Sequence, residues 1–126
     1  MATSKKSIHY ASLVIESRGF ADDVRSSQSQ LEWSKLFSAG EYYIDLSLRS
    51  EGDGFALKGQ VLAVDSSRAL PKGRAALTLA SKAKVSEALN ASGAFSLELD
   101  EADFSDLEIT LSEAILRVAM TESDAS

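Results

Sequence analysis

Residues 42–63 read YYIDLSLRSEGDGFALKGQVLA. In the first half Tyr42, Ile44, Leu46 and Leu48 alternate with Tyr43, Asp45, Ser47 and Arg49. In the second half Phe55, Leu57, Gly59, Val61 and Ala63 resume the alternation. A period of two sends successive side chains to opposite faces, which is the pattern of a strand with one face on a core and the other in water. Glu51, Gly52, Asp53 and Gly54 lie between the halves and are residues that tolerate turn geometry, so a hairpin is predicted.

The same rhythm extends in both directions. Downstream, Asp65-Ser66-Ser67 breaks the pattern and Leu70-Pro71-Lys72-Gly73 forms a turn, with proline presetting φ. Ala75, Leu77 and Leu79 then restart a strand. Residues 84–99, KVSEALNASGAFSLEL, are ambiguous at first: Val85, Ala88 and Leu89 fit a helical stripe, whereas Val85, Glu87 and Leu89 fit a strand face. A turn at 90–93 followed by Phe95, Leu97 and Leu99 favours the strand and predicts a second hairpin. Leu107, Ile109 and Leu111 mark a further strand, and Ile115, Leu116 and Val118 a terminal one.

Upstream, Ala11, Leu13 and Ile15 alternate with Tyr10, Ser12 and Val14, as in a strand covered in part on both faces. Residues 19–29 read as a polar loop. Leu31, Trp33 and Phe37 belong to another strand, in which Leu36 breaks the parity and suggests a bulge. The small polar ends, 1–7 and 120–126, are expected to be flexible, leaving 8–119 as one domain.

Composition narrows the function classes. The chain has 126 residues, 44% apolar and 25% charged, which suits one folded domain. Its net charge of −6 disfavours a phosphate-binding surface and anionic lipid, so neither nucleic acid nor membrane is an expected partner. No apolar run approaches the roughly 20 residues that span a bilayer. Cysteine is absent, which removes disulfides, thiolate chemistry and cysteine-based zinc sites. The N-terminal stretch lacks the apolar core of a signal peptide, and a cytoplasmic location is the expectation.

Short strands about ten residues apart, with turn signals between them, predict an all-β fold: a single antiparallel β-sandwich of seven to eight strands. The order Gly59-Gln60-Val61, Leu70-Pro71-Lys72-Gly73, Ala75-Ala76-Leu77-Thr78-Leu79 and Ser92-Gly93-Ala94-Phe95-Ser96-Leu97 resembles the carboxypeptidase regulatory-like, or prealbumin-like (transthyretin-like), domains. That resemblance implies a prealbumin-like or immunoglobulin-like sandwich. It covers the middle third of the chain and departs at 100–105, where those domains carry a glycine-tyrosine turn and this chain has Asp-Glu-Ala-Asp-Phe-Ser. Residues 39–48 leading into 59–62 also resemble small bacterial proteins encoded beside extracytoplasmic-function sigma factors, which implies a regulatory setting.

Few residues invite chemistry. His9 is the single histidine, so no two-histidine metal site can form, and a serine triad would depend on a residue near the chain end. Phosphate-binding glycine motifs and a nucleophile elbow are missing. The acidic run Glu98, Asp100, Glu101, Asp103, Asp106 and Glu108 has oxygen ligands for calcium but lacks the EF-hand glycine, and reads as a solvated loop or as a docking patch for a basic protein. Trp33, Tyr42 and Tyr43 could serve sugar stacking, but Tyr42 has core parity and Tyr43 solvent parity.

The expectation is therefore a non-catalytic protein-interaction or regulatory module without cofactor or metal. Its contact candidates are Trp33, Tyr43, Asp100, Glu101, Asp103 and Asp106, and a sigma factor or other signalling protein is the implied kind of partner. A small-ligand or carbohydrate-binding sandwich using Trp33 and Tyr43, or a self-assembling subunit, are the alternatives.

Overall fold

The computed structural model describes residues 7–18, 29–65, 72–100, 103–112 and 114–119. They form ten strands and no helix. These are β1 (Ser7–Tyr10), β2 (Ser12–Arg18), β3 (Ser29–Ala39), β4 (Tyr42–Glu51), β5 (Gly54–Ala63), β6 (Gly73–Leu79), β7 (Lys84–Ala88), β8 (Ala94–Leu99), β9 (Phe104–Leu111) and β10 (Ala114–Ala119). Two sheets of five result, β1-β10-β9-β6-β7 and β2-β3-β4-β5-β8. We call them sheet A and sheet B.

The hairpin predicted at 42–63 is present in the expected register, with Glu51 opposite Gly54 and Tyr42 opposite Ala63. Gly52 opens its two-residue turn at φ +58°, a conformation that costs a side chain but not glycine. Inner-face rows run across sheet B, for example Phe37, Ile44 and Val61, or Trp33, Leu48, Leu57 and Leu97. Sheet A answers with Val118, Leu107, Leu77 and Val85 in one row and Leu116, Ile109 and Ala75 in the next.

These apolar rows make the core. Ile44, Leu46, Leu57, Leu77, Leu97, Leu107, Ile109, Leu111 and Leu116 are all essentially removed from water. Each such side chain contributes about 1.5–3 kcal/mol relative to exposure. Among the described residues no polar or charged side chain is buried. Phe104, within the divergent stretch at 100–105, is also buried and closes one end of the core.

Four expectations need correction. Ten strands replace seven to eight, and one of the additions arises because the N-terminal segment divides at Ala11: β1 joins sheet A beside β10, and β2 joins sheet B beside β3. The pairing of β1 with β10 is parallel, whereas every other ladder is antiparallel. Ala11 secures the crossover, its N–H donating to the Arg117 carbonyl at 2.8 Å.

The second predicted hairpin is not one. Residues 84–88 are a strand, as favoured, but β7 pairs with β6 while β8 pairs with β5 in the opposite sheet. The turn between them is a corner between sheets. Asn90 organises it through Oδ1, which accepts from the Ser92 and Ala94 N–H groups at 2.8 and 3.0 Å. Gly93 follows at φ +81°.

Leu36 marks no bulge either; it faces outward, opposite Asp45. The irregularities fall instead between Leu31 and Trp33 in β3 and between Leu13 and Ile15 in β2. Finally, β2 is not covered on both faces: residues 12–17 are all exposed, and the strand is a sheet edge with a single neighbour. Residues 19–28 of the predicted loop at 19–29, the turn residues 70–71, residues 1–6 and 120–126 of the predicted ends, and Glu101 lie outside the described residues, while Ser29 opens β3 and Ser7 opens β1.

Across the crossover edge, His9 is half-buried and lies on the β3–β4 turn. There Gly40 has φ +61°, and a Cβ added to it would fall 2.7 Å from His9 Nδ1. Gly40→Ala is therefore expected to lose about 1–2 kcal/mol from the left-handed backbone alone, plus the steric conflict. Denaturant midpoints check this. Adding His9→Ala in the same chain should remove the steric part only, and an unchanged midpoint for Gly40→Ala would contradict the packing of β1 on the turn.

Candidate functional site

With an apolar interior, contact chemistry among the described residues lies on the faces and edges of the sandwich. Its distribution is uneven. The exposed large apolar residues among the described positions are Ile8, Tyr10, Leu13, Val14, Ile15, Tyr43, Leu62 and Val64. Five of these eight fall on β1 and β2, and the other three lie on β4, on β5 and just beyond β5. Isolated exposed apolar residues are ordinary, but a contiguous set is not.

Register relates four of them, with Leu36, on the outer face of sheet B, whereas Ile8 and Tyr10 lie on β1 of sheet A. Ile15 lies opposite Leu36, which lies opposite Asp45; Tyr43 is two residues before Asp45 on the same outer face and lies opposite Leu62. Leu36 is half-buried, and Val64 continues the outward parity of Leu62. Ile15, Leu36, Tyr43, Leu62 and Val64 thus trace a diagonal apolar stripe across the outer face of sheet B, from its free edge to β5. Val64 is held in line by its N–H, which donates to the Glu41 carbonyl at 2.9 Å.

The free edge adds to the stripe. Leu13, Val14 and Ile15 are 49%, 50% and 58% exposed, so three consecutive apolar residues face solvent where edge strands usually carry charge. Beyond Ile15 and Leu36 the outer face turns polar, with Asp45, Ser47, Lys58, Gln60 and Ser96 on β4, β5 and β8. An apolar region with a polar border is the composition of a protein-contact surface.

Of the residues singled out from sequence, Tyr43 alone belongs to this surface. Trp33 shares the inner-face row of Leu48, packs against the core and is half-buried, with Lys35 Nζ 4.6 Å from the ring centroid. Trp33 and Tyr43 therefore lie on opposite faces of sheet B, and the joint aromatic platform expected for sugar stacking does not form. The solvent parity of Tyr43 and the core parity of Tyr42 are as expected.

The acidic candidates are dispersed. Asp100 and Asp103 are exposed in the β8–β9 connection. Asp106 lies on the outer face of sheet A beside Glu108 and Arg117, and Glu98 lies on β8 in sheet B. Among the described residues no three His, Asp or Glu side chains are placed to share a metal ion.

No family model, curated protein or solved structure matches the chain. The β2 edge was overlooked in the sequence because Leu13, Val14 and Ile15 look the same whether a strand is sandwiched or bare.

Proposed function

We propose that this protein is a protein-interaction module of regulatory character, and that it binds its partner through the β2 edge and the apolar stripe on sheet B. The observation that carries this reading is the run of solvent-exposed Leu13, Val14 and Ile15 on an edge strand, of which Ile15 leads through Leu36 to the outer-face residues Tyr43 and Leu62.

The bulge at Val14 separates a protein partner from a second copy. A bulged edge presents an irregular row of N–H and C=O groups and resists regular pairing of one β2 with another. Side-chain docking by a different chain suits such an edge better than an extended self-assembled sheet. The resemblance to proteins encoded beside sigma factors makes a sigma factor the first partner to reconstitute, and the chain's net charge of −6 favours one with a basic contact surface.

The test compares capture by the unaltered chain with capture by Ile15→Lys, Leu62→Asp and the control Lys58→Glu, followed by reconstitution from purified components. A stoichiometric partner should be held by the unaltered chain and the control. Ile15→Lys should weaken it by about 30-fold or more, as for a central contact residue. Equal binding by all four chains, or no stoichiometric partner, would contradict the proposal.

A further inference from the structure

The outer face of sheet A is built differently from that of sheet B. One row across it runs Tyr10, Arg117, Glu108, Ala76 and Ser86, and the next runs Ala119, Asp106, Thr78 and Lys84. Ala76, Thr78 and Ala119 are short beside Tyr10, Arg117, Glu108 and Lys84, and these residues line an open groove of about 600 Å³. That volume lies within the range of small-ligand sites, about 300–1,000 Å³.

Its lining is chemically specific. Tyr10 is 71% exposed, the barest large apolar residue among those described, and lies on β1 directly opposite Arg117. Arg117 Nε donates to Glu108 Oε2 at 3.3 Å, and its terminal nitrogen lies at the same distance from that oxygen. The remaining charges in the groove are Asp106 and Lys84. Two cations and two anions therefore balance locally, although the chain as a whole carries −6.

A charged ligand gains no net attraction from such a lining. A neutral ligand with many hydroxyls does gain, because each hydroxyl donates and accepts, and the paired carboxylate and guanidinium satisfy both functions. An exposed phenol ring adds a flat surface with an apolar body, suited to the C–H face of a pyranose. An open trough also admits a chain of rings more readily than a single enclosed molecule.

From these features we infer that the groove on sheet A is a binding site for a neutral oligosaccharide, with Tyr10 as the stacking platform and Arg117, Glu108, Asp106 and Lys84 as the hydroxyl partners. The site lies on the sheet opposite the stripe of sheet B and does not depend on it.

The test is an amide NMR titration of the intact chain with millimolar cellopentaose, maltopentaose, xylopentaose, chitopentaose and mannopentaose in turn. At least one should shift the amides of Tyr10, Thr78, Asp106, Glu108 and Arg117 saturably. Tyr10→Ala should lower that affinity about tenfold. The exposure of Tyr10 lets this variant keep the parent fold, which the same spectra verify, and Glu108→Gln provides a second variant expected to weaken binding. No shift with any of the sugars, shifts confined to another face, or an affinity unaltered by Tyr10→Ala would overturn the inference.

Discussion

Gly59→Val is expected to prevent folding or to destabilise the chain by about 3 kcal/mol or more, at the upper end of what overpacking a core costs. Gly59 is buried in β5 on the inner face of sheet B, opposite Phe95 of β8. A Cβ there would meet Phe95 Cζ at 2.3 Å and Leu46 Cδ2 at 2.8 Å. Neither neighbour can yield readily, since the Phe95 ring is 5% exposed and Leu46 is fully enclosed. The aromatic ring fills the space that a side chain on residue 59 would otherwise occupy.

That explanation predicts coupling. Phe95→Ala alone should cost about 3–5 kcal/mol through the cavity it leaves. Combined with Gly59→Val, the loss should be clearly smaller than the sum, because the valine occupies part of that cavity. Urea unfolding of the two single variants and the double variant measures it, and strictly additive losses would contradict the ring-over-glycine packing.

The second large effect is at the centre of sheet A. Leu107→Ala should cost about 2–5 kcal/mol, because Leu107 is enclosed between Val118 and Leu77 in its own sheet and beneath sheet B. A loss of that size lowers Tm by several degrees per kcal/mol in a domain of this length. Leu62→Ser, on the outer face of sheet B, is the matched contrast and should change stability by at most about 0.5 kcal/mol. Similar Tm losses at both positions would mean that the assignment of inner and outer faces is wrong.

This contrast shows what alternation can reveal. Parity along 42–63 settled which of Tyr42 and Tyr43 is buried, and the alternation of Leu107, Ile109 and Leu111 marked a strand with those residues on one face, because a strand's two faces are a local property. Which sheet a strand joins is not local. Nothing in SIHYASLVIESR marks Ala11 as the crossover, and the turn at 90–93 reads the same whether the chain folds back on its own sheet or passes to the other.

The candidate site followed the same division. Tyr43 was legible as an exposed residue, but its neighbours Ile15 and Leu62 come from strands whose register depends on the whole sheet. Trp33 keeps the parity of Phe37 and turns its ring toward the core, while the irregularity before it puts Leu31 opposite Arg49 rather than opposite a core residue. Asp106 looked continuous with Asp100 and Asp103 in sequence, yet strand geometry turns it onto the outer face of sheet A, within the groove that also holds Tyr10.

The claim that the β2 edge and the sheet B stripe are one contact surface is tested most directly by site-specific photocrosslinking in the native host. A photoreactive residue is placed at Val14, at Leu62 or, as control, at Lys72. The same single adduct should arise from Val14 and Leu62, and none from Lys72. No adduct at either stripe position, or one that appears equally at Lys72, would contradict it.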